Sequence, residues 1–389
     1  MHSGVSISHG GDKGDPRLLK GAFRLCLNPV TVLALHPKLR TDRLTMKKVG
    51  IVLDKLYVDH DNGFGHPESH ERLLAIIDML KYTNLLDEVA KIAPRDATKE
   101  ELTLVHTPEH YDRMASTKGK PKVFLDADTS TCPVSFDAAV RAAGGVLSAI
   151  DSVLAGETDS AFALVRPPGH HAEADRAMGF CLFNSAAVGG AYLAEVKGFE
   201  RVMIIDWDLH HGNGTQHMFY DNPKVLYFST HQYPYYPGTG GPSETGSGEG
   251  KGYTVNVPLP PGMGDKEYIK IFNEILGPVI DQYKPEFILV SAGFDTFFDD
   301  PLGGMKVTQE GFAKMTRFLT DAADKYSDGR IVFILEGGYN LDGLWISTKE
   351  VIEELLDKKR SSYDSPEEAT QADLIIERVK KDYSQHWKF

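Results

Sequence analysis

Six short apolar runs punctuate this chain of 389 residues: VGIVLD at 49–54, AFALV at 161–165, RVMIID at 201–206, KVLYFS at 224–229, FILVSA at 287–292 and RIVFIL at 330–335. A strand with one wet face alternates polar and apolar residues. A near-continuous apolar run is a strand covered on both faces, the habit of parallel sheets. Amphipathic patterns separate the runs. The stretch 135–156 opens on Ser135 as a helix cap and stops at Gly156; 265–283 and 308–326 open on Asp265 and Thr308. This alternation predicts an α/β fold: a single domain with a mainly parallel central sheet flanked by helices. The Gly-, Pro-, Ser- and Tyr-rich stretch 231–263 reads as a long surface loop.

In open parallel sheets ligands bind beyond the carboxyl ends of the strands. Five of the runs deliver polar groups there: His170 and His171, then WDLHHGN at 207–213, then Thr230 and His231, then Asp295, then Tyr339. Singly, each has an ordinary explanation. An Asp after a strand is usually a cap or turn residue, a His pair is more often structural, and GGY is a common tight turn. Five such outlets on one sheet edge point instead to one site. If the third run stays extended through Leu209, then Asp206, Asp208 and His210 share a side. Asp208 and His210 then reach one ion, and Asp295 adds a third ligand. One imidazole and two carboxylates suit Zn²⁺ or Fe²⁺ with a coordination position left open, the pattern of a catalytic centre.

Composition narrows the class. The net charge is -13 and no basic stripe is present, which argues against nucleic-acid binding. Three cysteines, Cys26, Cys132 and Cys181, with no CxxC spacing, fit a reducing cytoplasm. No apolar run approaches 18 residues, so no membrane span is expected. Residues 1–45 are polar and turn-forming, and MKKVGIVLD at Met46 looks like a fresh start; we expect 1–45 to be a disordered extension or a translational mis-start. The catalytic unit is expected at 46–356, and the charged tail 357–389 as a peripheral helix.

The order GHPESHERL (65–73), RPPGHHAE (166–173), GFCLFN (179–184), DWDLHHGNGTQ (206–216), PYYPGTG (234–240), SAGFDTFFDDPLGG (291–304) and LEGGYN (335–340) resembles the histone deacetylase superfamily, in its class II and bacterial branch, related to acetoin-utilisation proteins and acetylpolyamine amidohydrolases. The resemblance covers about 47–356. It implies Asp208, His210 and Asp295 as Zn²⁺ ligands, with Fe²⁺ as the other ion considered. It implies His170 and His171 as the tandem histidines beside the attacking water, and Asp206 and Asn213 as their partners. Class I enzymes carry aspartate where Asn213 stands, so His171 is expected to be less basic here. Tyr339 is implied as the transition-state tyrosine. Gly179, Phe180, Tyr236 and Leu302 are implied in the acyl-lysine tunnel and its rim, with Tyr236 where phenylalanine is usual. An inner K⁺ site matches Asp206, Asp208, His210, Ser229 and Thr230, and an outer one Phe219, Asn222, Val225 and Tyr253. The family's rim aspartate stays unassigned within DADTSTCP (126–133).

The resemblance implies a zinc-dependent amidohydrolase that removes acetyl or other acyl groups from protein lysines or from small acetylated amines. The alternative is an acetylpolyamine amidohydrolase. That reading ranks lower, because no inserted loop stands out between Tyr57 and Glu100 and Leu302 is not an acidic gatekeeper. An arginase-like two-Mn²⁺ site would need more aspartates. A non-catalytic module would need a broken metal set. Oligomeric state is left open.

Overall fold

The computed structural model describes residues 47–366, 368 and 370–389. The expectation for residues 1–45 lies outside them. Ten strands are present among the described residues: β1 Val49–Val52, β2 Ala90–Ile92, β3 Val123–Phe124, β4 Ser130–Thr131, β5 Ser160–Ala163, β6 Val202–Asp206, β7 Val225–Gln232, β8 Thr254–Leu259, β9 Phe287–Ala292 and β10 Ile331–Leu335. Eight form one sheet in the order β2-β1-β5-β10-β9-β6-β7-β8, and every pairing in it is parallel. β3 and β4 make a separate antiparallel pair.

The five strands whose ends carry polar groups, β5, β10, β9, β6 and β7, are consecutive in that order. Their residues are buried throughout, as apolar runs flanked by helices require. The helix Ser135–Leu154 packs on β1, β5 and β10. Its start differs from the expectation. Ser135 is the first helical residue, and its hydroxyl accepts from the Cys132 N–H at 2.8 Å instead of capping.

Three local readings need correction. First, 231–263 is not all loop. β7 runs on to Gln232, and Thr254–Leu259 forms the edge strand β8. Thr254, Asn256 and Pro258 disguised β8, and a proline is tolerated on an edge. Second, 265–283 is not one regular helix. A π-turn, Phe272–Leu276, joins the helices Asp265–Ile271 and Gly277–Tyr283. Pro278 has no N–H and crowds the preceding turn, so the ladder widens before it. Asp265 is not the cap; its carboxylate accepts from Thr308 N and Oγ1 at 2.8 and 2.7 Å. Third, β6 ends at Asp206 and does not continue to Leu209.

Met46–Phe389 forms one compact unit. Within the tail the helix is Asp373–Tyr383. It covers the β8 edge, where Tyr383 Oη accepts from Asn256 N at 3.0 Å and Trp387 Nε1 donates to the Gly252 carbonyl at 2.8 Å. No described helix is long and apolar enough to cross a membrane.

Candidate active site

Beyond β6 the chain turns by bonding its own carboxylates. Asp208 N donates to Asp206 Oδ1 at 3.2 Å, and His210 N to Asp208 Oδ1 at 2.9 Å. These local bonds replace ladder partners, and so the strand stops here while its acidic side chains stay clustered. The loop after β9 brings Asp295, whose Oδ1 accepts from Leu209 N at 2.8 Å. His210 Nδ1 then lies 3.3 Å from Asp208 Oδ1 and 3.0 Å from Asp295 Oδ2. One ligand atom from each of Asp208, His210 and Asp295 lies within 4.8 Å of the others, and all three residues are buried.

The loop after β10 closes the floor. Gly337 N donates to Asp208 Oδ2 at 2.8 Å. A Cβ at Gly337 would sit 2.4 Å from Asp295 Oδ2 and 2.6 Å from Asp208 Oδ2, so only glycine allows this approach.

The charges explain what such a set accepts. Burial, then the neighbouring Asp208 charge, push Asp295 up to about 7. Burial works against the charged form of Asp208 too, but His170 and His210 hold it below the usual carboxylate range. Burial pushes His210 down, yet hydrogen bonds to Asp208 and Asp295 raise it to about 9. Two buried carboxylates this close need positive charge between them, and the field that draws a proton to His210 draws a divalent cation to the same place. Two carboxylate oxygens and one imidazole nitrogen fit Zn²⁺ or Fe²⁺ in chemistry.

His170 and His171 follow β5, with ring centres 4.0 Å apart. His170 Nδ1 pairs with Asp206 Oδ2 at 3.1 Å, and His171 Nδ1 with Asn213 Oδ1 at 2.8 Å. Burial lowers both histidines. For His170 the Asp208 and Asp206 charges prevail and lift it to about 10. For His171 the neighbouring His170 and His210 add to burial, and it falls well below its ordinary value. The surroundings thus pull the two rings in opposite directions, His170 toward its charged form and His171 toward its neutral one.

Aromatic rings wall the approach. Tyr236 meets His171 and His210 edge-on at 5.1 and 6.0 Å, and Tyr235 stacks on His210 at 5.7 Å. Phe180 packs edge-on to Tyr339 at 6.1 Å and to His66 at 4.7 Å. Phe180 has φ 67, a left-handed backbone that a bulky side chain rarely adopts; its N–H is held by Thr129 Oγ1 at 3.0 Å. Gly179 before it passes so close to His171 that a Cβ would lie 2.4 Å from the ring. Leu302 meets this rim through its carbonyl, which accepts from Tyr235 Oη at 3.1 Å.

Of the residues matched to the inner K⁺ site, Asp206 and Ser229 are register partners across β6 and β7, and Thr230 is the next residue of β7. Of the outer set, Phe219 and Asn222 share a turn through a 3.1 Å backbone bond. The Tyr253 carbonyl accepts from Tyr227 N at 2.9 Å, beside Val225 on β7.

Sequence reasoning missed the supports. Glu336 Oε2 accepts from Gly169 N and His170 N at 2.6 and 3.2 Å and fixes the tandem pair. Glu68, Arg72 and Arg166, all fully buried, form an ion cluster; Glu68 accepts from Arg166 Nε and Nη2 and from Arg72 Nη1. Among the carboxylates of the stretch 126–133, the Asp128 charge acts most on Tyr236. Burial raises Tyr236 above the ordinary phenol range, and the Asp128 charge is the next cause. The only available signals were the acidic letters inside GHPE, HHAE and LEGG.

The histone deacetylase domain family matches residues 66–355. A probable deacetylase of Archaeoglobus fulgidus is 40% identical over 360 residues, covering 87% of this chain and 98% of that protein. The polyamine deacetylase HDAC10 of Homo sapiens is 37% identical over 334 residues, covering 82% of this chain and 49% of that protein, so the chain spans about half its length. The crystal structure of the HDA15 HD domain matches with a TM-score of 0.82 at 38% identity, over 88% of this chain and 96% of that one. The chain belongs to the histone deacetylase family, a family of amide-hydrolysing deacetylases.

Proposed function

We propose that this chain is a zinc-dependent deacetylase that removes acetyl groups from lysine side chains, with residues 46–356 as its catalytic unit. The observation that carries the reading is the position of one ring. His171 lies edge-on to the proposed metal ligand His210 at 5.9 Å and to the tunnel wall Tyr236 at 5.1 Å, so base, metal set and channel converge.

Asp208, His210 and Asp295 are the groups that would hold the cation. What a divalent cation supplies at such a set is Lewis-acid polarisation of the amide carbonyl and acidification of a water. The protein does the rest. His171, neutral and with Nδ1 engaged by Asn213, takes the water proton on Nε2 and returns a proton to the leaving amine. His170, oriented by Asp206, faces the negative charge that develops as the carbonyl is attacked. The Tyr339 phenol, pushed well above its ordinary value by burial, keeps its proton and donates it as a hydrogen bond to the developing oxyanion. Phe180 and Tyr236 hold the methylene stem of the acylated lysine and keep out bulk water. Asp128, beside them, accepts from the N–H groups of a peptide backbone at the rim. Inner and outer K⁺ sites fall to the residues matched above and brace the metal-bearing loop.

A second reading, hydrolysis of small acetylated amines such as acetylpolyamines, is favoured by the likeness to a polyamine deacetylase. The half-buried Leu302 at the rim offers no charge to select a polycation. The test is turnover of acetyl-lysine peptides, acetylpolyamines and longer acyl-lysines, with and without a chelator. We expect peptide deacetylation that the chelator abolishes and Zn²⁺ restores. Preference for acetylpolyamine would support the second reading, and activity indifferent to chelator would overturn the metal-dependent one.

A further inference from the structure

The reading of His171 as base raises a problem that its neighbours resolve. Its partner is an amide, and an amide can face either way. Turned over, Asn213 would offer Nδ2–H to His171 Nδ1. The imidazole would then accept there, carry its own proton on Nε2, and be unable to take one from water.

The surroundings of Asn213 forbid that rotamer. Its Nδ2 lies 2.5 Å from Glu173 Oε1 and 3.2 Å from the His171 carbonyl. A carbonyl and an ionised carboxylate only accept, so Nδ2 belongs to them and Oδ1 faces His171. Glu173 is 7% exposed. Both its oxygens are held by His217 Nδ1, at 2.9 and 3.0 Å, and Arg176 stands 3.7 Å away. Burial works against its charge, but the bonds from His217 and Asn213 keep it below the usual carboxylate range. Asn213 and His217 are four apart on the helix Asn213–Met218, so one face reaches Glu173 twice. Glu244 adds negative charge near His217, whose ring meets Tyr220 edge-on at 6.5 Å.

We infer that Glu173 is a positioning residue for deacetylation: its carboxylate, gripped by His217, locks the Asn213 amide so that His171 carries its proton on Nδ1 and bares Nε2 to the reaction. The negative charge that class I enzymes place directly on this histidine stands here one amide further back. The inference rests on the reading of His171 as base.

An exchange of carboxylate and amide tests it, with kcat and KM measured on an acetyl-lysine peptide and with metal content and thermal unfolding of each variant checked. Glu173→Gln should lower kcat about 10–100-fold with little change in KM, the usual range for a group that orients a ligand or base. Asn213→Asp alone sets two carboxylates against each other and should also lose activity. The double variant puts an amide behind a carboxylate and should regain at least about tenfold over either single one, in the manner of coupled neighbours. Losses that simply multiply in folded, metal-replete protein, or wild-type kcat in Glu173→Gln, would overturn the inference. His171→Ala separates the two levels: wild-type turnover there would remove the base itself, whereas its inactivity beside an unaffected Glu173→Gln would remove only the role of Glu173. Nitrogen-15 NMR of the wild-type histidines is the check that needs no variant. Nδ1–H on His171 is expected, and Nε2–H would overturn the inference.

Discussion

Arg72 grips the backbone on both sides of the turn that precedes Tyr339: its Nε donates to the Gly338 carbonyl at 2.6 Å and its Nη2 to the Glu336 carbonyl at 2.5 Å. Its guanidinium lies 5.1 Å from the centre of the Tyr339 ring. A planar fork can serve two carbonyls and a ring at once; an ammonium cannot. Arg72→Met would strand two buried carbonyls and leave Glu68 with one guanidinium, Arg166, beside Asn62 and His60. We expect a loss of about 3 kcal/mol or more in urea unfolding. We also expect a fall in kcat with metal retained. An unchanged kcat would mean that Tyr339 needs no such clamp.

Tyr339 itself should be needed for turnover but not for metal. Asp300 Oδ2 accepts from its N–H at 2.7 Å and from Asn340 N at 3.0 Å, so the backbone stays in place when the hydroxyl is removed. Tyr339→Phe should lose about 10²–10³ in kcat, the cost of one oxyanion donor. Elemental analysis should find its metal content equal to wild type. Wild-type turnover would contradict the role.

The rim should act on binding rather than on chemistry. Asp128 reaches the tunnel through its neighbour, Thr129, whose hydroxyl holds Phe180 N. Asp128→Asn keeps the size and removes the charge. KM for an acetyl-lysine peptide should rise several-fold, about 1 kcal/mol of binding, with kcat little changed. A free acetylated amine lacking a peptide backbone should show no such rise. Equal effects on both substrates would sink the assignment.

Acid should destabilise the protein through a histidine that is not one of the proposed metal ligands. His106 Nδ1 donates to the Glu173 carbonyl at 2.9 Å, and its Nε2 accepts from Asn184 N at 2.9 Å. Both nitrogens are committed to a neutral ring. Burial, with His110 beside it, pushes His106 down to about 3. Unfolded, it titrates near ~6.5. Between those values the unfolded chain binds a proton that the folded one refuses. This stabilisation is therefore present above pH ~6.5 and lost as pH falls toward 3, at up to about 1.4 kcal/mol per pH unit. Urea unfolding from pH 7 to pH 5 should show a shallower slope in His106→Gln than in wild type. Parallel slopes would refute it.

The centre of the sheet was legible because its signal is local. Apolar runs such as FILVSA, matched residue for residue by β9, name strands without help from partners. The clustering of Asp208, His210 and Asp295 was legible for the same reason, since all three sit just past such runs. The edges were not. β8 is broken by Thr254, Asn256 and Pro258, and the tail helix that covers it lies more than 100 residues on in sequence. Period-two alternation gave the convergence of Asp208 and His210 for a wrong reason, since carboxylate-to-amide bonds, not an extended strand, hold them. Supports such as Glu173, Glu336 and the Glu68–Arg166 pair escaped because their meaning lies in partners that only folding supplies. Glu68 and Arg166 are 98 positions apart.

The claim on which the account depends is that Asp208, His210 and Asp295 bind one divalent cation. Anomalous diffraction at the zinc edge, from crystals grown with equimolar Zn²⁺, measures it directly. One peak within bonding distance of all three side chains, absent from Asp208→Ala crystals grown alike, is the expected result. No peak there, or one that persists in Asp208→Ala, would contradict it.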